Sequence, residues 1–130
     1  MDHETAFTKS FILSAKRARF LQGLADPKTR KEALERLSCE LPYMTGFAME
    51  VPGHQDFPNE LEKLLRAKGA GPRCHVIADG LKADGRELAL REALNLVCLH
   101  DRGAVLSCLP GHLAYYKPES PRPGIILERP

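Results

Sequence analysis

Tryptophan is absent from this 130-residue chain, which has only three tyrosines and five phenylalanines. Proteins that read nucleic-acid bases stack them on aromatic side chains, and the chain has no motif of that kind. Long apolar runs are missing as well. The longest stretch without Asp, Glu, Lys or Arg is Gly103 to Tyr116, which is shorter than the ~20 residues of a membrane-spanning helix and is broken by Pro110-Gly111. A basic leader is also missing: Asp2 and Glu4 stand where a secretory signal carries bases, and no small-residue cleavage site follows an apolar run. The expectation is a cytoplasmic protein with no membrane span.

Cysteine is sparse in pattern rather than in number. Cys39, Cys74, Cys98 and Cys108 lack the dense spacing of a disulfide framework and read as reduced thiols filling core space. A metal site would have to gather Cys74, His75, Cys98 and His100. No C-x2-C or H-x3-H pair occurs, and each neighbouring couple points to different sides of its helix or strand. Gly69-Ala70-Gly71-Pro72 lacks the lysine and the following helix of a phosphate-binding loop. Neither metal nor cofactor is therefore expected. Asp79, Asp84, Glu87 and Glu92 sit at turns and a helix start, where carboxylates act locally.

What is present is an ordinary globular composition, 43% hydrophobic and 28% charged. The expectation is one domain over residues 1–130, helical over 5–69 and strand-rich over 73–128. Apolar residues at Phe7, Phe11, Ala15, Ala18, Leu21 and Ala25 predict one long first helix, with Leu13, Phe20 and Leu24 forming a second apolar face. Asp26-Pro27 is a capping residue and first-turn proline for a second helix running to Leu37. The segment from Ser38 to Phe57 is too apolar for a solvated linker and is expected to wrap the core.

A third helix follows, with Asp56 as its cap, Phe57, Leu61, Leu64 and Leu65 inward, and Glu62 spaced to pair with Arg66 outside. Arg73 to Ala78 reads as a strand, Leu88 to Asp101 as a largely buried fourth helix. Ala104–Leu109 and His112–Lys117 read as a hairpin, and Gly124–Glu128 as a final strand at the sheet edge or on another copy's sheet. The fold class is α+β, with N-terminal helices packed on a small, mainly antiparallel sheet formed by the C-terminal half.

Charge is uneven. Between Lys9 and Arg36 there are eight bases against three acids, whereas the whole chain carries only +2. Lys9, Lys16, Arg17, Arg19, Lys28, Arg30 and Lys31 are thus candidate contacts for a phosphate backbone, although a solvated helical face is the stronger explanation. Cys108 and His112 are the candidates for thiol chemistry, because an imidazole beside a thiol makes it a nucleophile. A tight turn at Pro110-Gly111 would send the two to opposite faces. Tyr43, Met44, Phe47 and Tyr115 are candidates for lining a ligand pocket between the sheet and the 43–51 segment.

Cys74-His75-Val76-Ile77, Asp84-Gly85-Arg86-Glu87-Leu88 and Leu106 through Tyr116 resemble small bacterial hypothetical proteins of unknown function. The resemblance spans roughly the last 60 residues. It implies a bacterial cytosolic origin and no particular activity. The leading functional expectation is a self-associating interaction module without catalytic activity, a homo-oligomer or a binder of another protein. The alternatives are a nucleic-acid-associated protein and a small enzyme or ligand binder with a thiol near Cys108.

Overall fold

The computed structural model describes residues 2–53 and 57–130. Helix α1 (His3–Phe11) begins where the Asp2 carboxylate accepts the Thr5 backbone N–H at 2.8 Å. It ends at Ile12, earlier than the apolar spacing predicts. The Phe11 carbonyl accepts the Met44 N–H, Leu13 N–H donates to the Pro42 carbonyl, and Ile12 bridges to Tyr43. Pairing with the 42–44 segment takes the backbone groups that a continuous helix would need. The chain resumes through a 3-10 turn (Ser14–Lys16) into α2 (Arg17–Ala25), so the expected long helix is two helices. Leu13, in the break, is left exposed, while Phe20 and Leu24 are buried.

The Asp26 side chain accepts the Lys28 N–H at 2.9 Å, and the Asp26 carbonyl accepts the Arg30 N–H, starting the turn that leads into α3 (Arg30–Ser38). Asp26 therefore caps the turn and not the helix: residues 27–29 form the turn, α3 starts three residues later than Pro27 indicates, and Thr29 stands at its N-cap without a side-chain capping bond. A 3-10 turn at Thr45–Phe47 precedes β1 (Ala48–Glu50). Asp56, read as the cap of the next helix, lies outside the described residues. Helix α4 (Pro58–Ala67) buries Leu61 and Leu65, and Glu62 pairs with Arg66 as its i,i+4 spacing requires. Phe57 is 62% exposed instead of inward, because it precedes the helix in extended backbone and leaves the periodic face.

Strands β2 (Arg73–Ala78), β3 (Glu87–Ala89), β4 (Ala104–Leu109), β5 (Leu113–Lys117) and β6 (Ile125–Glu128) complete a six-stranded antiparallel sheet in the order β1-β6-β5-β4-β2-β3. Helix α5 (Leu90–Cys98) begins two residues after the expected Leu88, which pairs with Cys74 in β3 instead. His112 belongs to the turn and not to the returning strand: its N–H donates to the Leu109 carbonyl, and Gly111 has φ +74°, a left-handed value suited to glycine. A bulge between Ser107 and Leu109 absorbs the extra residue this loop requires.

The last strand is not at an edge. It lies between β1 and β5, with Met49 opposite Ile126 and Tyr115 opposite Ile126 on the other side. The short strands β1 and β3 flank the sheet. Neither was anticipated, since three residues are too few for a period-2 signal.

Alternation along the strands sorts the sheet into two apolar faces. Cys74, Val76, Leu106, Leu113 and Tyr115 meet α4 and α5 through Leu61, Leu65, Leu90 and Leu94. Ile77, Val105, Ala114, Tyr116 and Leu127 meet α1, α2 and α3 through Phe7, Phe11, Leu24 and Leu37. Each fully buried leucine of these layers contributes about 2 kcal/mol of transfer free energy. The fold is α+β, as expected, with helices on both faces of the sheet. No helix of the described residues is long and apolar enough to cross a membrane.

Candidate functional site

A Cβ placed on Gly23 would stand 3.0 Å from the Ala33 Cβ, so α2 and α3 touch there, and a groove lies beside this hairpin. Its volume is about 980 Å³. Phe20, Leu41, Tyr43, Pro118 and Ile125 give it apolar surface. Tyr43 meets the Tyr116 ring edge-on at 6.0 Å, and the Tyr116 hydroxyl donates to the Leu37 carbonyl at 2.7 Å. Burial pushes the Tyr116 phenol up to about 12 despite the nearby Arg122 charge, so it remains a neutral donor at physiological pH. Arg122 donates to the Ser38 carbonyl and forms part of the same wall. Lys16, Arg19 and Arg36 line the groove alongside the carboxylates Asp26, Glu32, Glu40 and Glu50.

A second polar centre lies where α1 crosses β2 and β4. Buried Ser107 Oγ is 2.7 Å from His3 Nδ1, and the His3 ring stacks on His75 with centroids 5.4 Å apart. His75 Nε2 is 2.8 Å from the Glu4 carboxylate, which also receives two hydrogen bonds from Arg30. Arg30 reaches Asp84 as well, through Nε at 2.8 Å and Nη2 at 2.9 Å. Burial alone would raise the Glu4 acid, but hydrogen bonds from Arg30 and His75 outweigh it and hold the group down at about 2. Arg30 is held firmly charged by Glu4 and then Asp84. His3 is pushed below its usual range by burial and by the neighbouring His75.

This chain of groups is no catalytic triad. Such a triad needs one imidazole between nucleophile and carboxylate, whereas here Ser107 and Glu4 bond different rings. The arrangement fastens α1 and α3 to the sheet.

A third cluster closes the far end of α3. Buried Asp79 accepts from Ser38 Oγ at 2.9 Å and from Arg102 at 2.6 Å, and Gly103 N–H donates to Ser38 Oγ. Here a glycine is required by space: a Cβ on Gly103 would fall 2.1 Å from the Leu37 carbonyl carbon. No buried side-chain nitrogen or oxygen among the described residues lacks a hydrogen-bond partner.

No known protein family, curated protein or solved structure matches the chain. The functional reading therefore rests on its own geometry. Cys108 is buried at the bulge and exposed His112 bonds the Arg129 carbonyl, so nothing brings the two together as a nucleophile and base. Burial pushes the Cys108 thiol up to about 12, with a further contribution from Cys74, whose own thiol burial raises to about 12. Neither is a thiolate at neutral pH. Cys39 corrects the core-filling expectation, since it caps α3 and is exposed, and Cys98 is half-buried. Among the described residues no group of three or more His, Cys, Asp or Glu is placed to hold a metal ion.

The basic candidates scatter. Lys16 and Arg19 line the groove, Arg30 is consumed by Glu4 and Asp84, and Arg17 is folded back onto the Ile12 carbonyl and Met44 sulfur. Lys9, Lys28 and Lys31 are exposed away from it. Of the pocket candidates, Tyr43 lines the groove, whereas Met44 does not and instead accepts from Arg17 through its sulfur. Phe47 is covered by the Arg129 guanidinium at 4.7 Å, and Tyr115 faces the opposite layer, 1% exposed. Sequence reasoning missed Phe20, Arg36, Tyr116 and Arg122 as groove residues, and His3, Glu4 and Ser107 as a cluster. Their partners are tens of residues away, and no spacing rule links them.

Proposed function

We propose that the chain is a binding protein for a small amphipathic ligand, held in the groove between the α2–α3 hairpin and the Tyr43 and Tyr116 wall. The observation that carries this reading is the groove itself. Its 980 Å³ is at the upper end of the range of small-molecule sites, and it combines apolar walls with a few convergent charged groups. The test uses N-phenyl-1-naphthylamine, a neutral probe that fluoresces in apolar surroundings. Gln22 lines the groove from an exposed position on α2, so Gln22→Trp fills the space without disturbing the core. Saturable binding by the native chain, weakened on the order of tenfold in Gln22→Trp at unchanged melting temperature, supports the reading. Absence of saturable binding, or equal binding by the variant, overturns it.

Self-association stands as a second reading. Two of its sequence motives are gone, because β6 is inside the sheet and the first helix is broken. What favours it now is α5 and its end, where Leu96 is 41% and Leu99 90% exposed.

A further inference from the structure

The groove has two chemically different ends. Helices α2 and α3 run antiparallel, joined by the turn at Asp26 and in contact at Gly23 and Ala33. That contact fixes their relative register. Lys16 and Arg19, before and in the first turn of α2, therefore lie at the same end as Arg36, in the last turn of α3. Asp26 and Glu32 lie towards the hairpin tip. Arg122, anchored on the Ser38 carbonyl just past that last turn, joins the basic end.

Lys16, Arg19 and Arg36 are exposed and make no ion pair among the described residues, in contrast to Arg30 at the start of α3, which is locked between Glu4 and Asp84. Glu40 follows α3 and Glu50 sits opposite Ile125, so both carboxylates also line this side. The groove as a whole balances four cations with four carboxylates, so the excess of charge is confined to this end, where four cations meet Glu40 and Glu50 and where Glu32 stands one helical turn from Arg36. The positive start of α2 and the negative end of α3 lie there together, and their dipoles offset.

Resting on the reading of the groove as a ligand site, we infer that it takes a discrete amphipathic anion, with the acidic head among Lys16, Arg19, Arg36 and Arg122 and the apolar body against Phe20, Leu41 and Tyr43. A charged head placed near unpaired cations gains attraction that added salt screens. The apolar body gains by leaving water, whichever acid it carries.

The experiment compares two probes with the same aromatic core. 1-Anilinonaphthalene-8-sulfonate carries an anionic sulfonate, and N-phenyl-1-naphthylamine does not. Both are titrated into the native full-length chain, into Gln22→Trp and into the double variant Arg19→Gln, Arg36→Gln, whose two side chains support no ion pair. The expected result is tighter binding of the sulfonate by the native chain at low salt. The double variant should lose sulfonate affinity on the order of tenfold while holding the neutral probe within about twofold.

Equal affinity of the native chain for both probes, or an unchanged sulfonate preference in the double variant, overturns the anion assignment and leaves the groove reading standing. Sulfonate and neutral probe both unaffected by Gln22→Trp overturn the groove reading itself. Displacement of the sulfonate by a short oligonucleotide, with a steep loss in salt, overturns the small-ligand assignment in favour of a nucleic-acid surface.

Discussion

Arg30 shows how far a side chain's role can depart from its sequence context. It stands in a basic stretch that suggests a solvated or phosphate-binding face, yet its guanidinium bridges Glu4 and Asp84 with about a fifth of the side chain exposed. Replacing it by methionine keeps the helix propensity and much of the volume but leaves two carboxylates facing each other without a cation. Breaking a fully buried pair costs several kcal/mol and a surface pair almost nothing, so for this half-covered site the expected loss is about 2 kcal/mol. Urea unfolding of Arg30→Met at neutral pH measures it. Asp84 was legible as a turn residue before Gly85 and does that work too, accepting the Ala78 N–H, but its second role on Arg30 spans 54 residues and leaves no local mark.

At the scale of elements, α1 is the one held by titrating groups. His3, stacked on His75 and bonded to Ser107, faces Asp2 and Glu4 on its own helix, His75 and Ser107 on the sheet and the Glu87 charge beyond. The folded chain disfavours the His3 proton, so the unfolded chain binds it first as pH falls from the ordinary value of 6.5. The stability from neutral His3 is present above that value and lost below it. Glu4 adds to the loss at lower pH: its contribution is full above 4.5 and disappears as pH falls towards about 2.

Amide exchange in α1 should therefore accelerate relative to the central strands as pH drops below 6.5, after correction for intrinsic rates. His3→Gln, which keeps a hydrogen-bonding group near Ser107, should flatten the change down to the window of Glu4. Equal acceleration in the variant would assign the effect elsewhere. The break between α1 and α2 belongs to the same scale: Phe7 through Ala25 has helical periodicity throughout, and only the pairing of Ile12 with Tyr43 interrupts it.

For the whole molecule the sheet sets the limits on association. Ile125, Ile126 and Leu127 of β6 are paired on both sides, so a second copy cannot join the sheet along them. The exposed leucines of α5 and its end remain. If the chain self-associates through them, Leu99→Lys should shift sedimentation equilibrium from oligomer to monomer while leaving the melting temperature unchanged, because Leu99 is 90% exposed and supports no core. A native chain that sediments as a monomer at high concentration would remove the self-association reading and leave the ligand groove unaffected.

What the sequence determined by itself was what depends on neighbours in the chain. Local residue type and turn signals placed β2 and β4 at their observed ends, Asp26 and Pro27 marked the turn before α3, and Glu62 with Arg66 marked the outer face of α4. Tertiary structure alone decided everything that depends on which strand lies beside which. It placed β6 between β1 and β5, divided the helices between two faces, turned Tyr115 away from Tyr43 and brought Lys16, Arg36 and Arg122 into the lining of one groove. Local patterns carry periodicity and capping over a few residues, whereas a site is a meeting of side chains from distant elements, and only burial of the two sheet faces fixes where those elements meet.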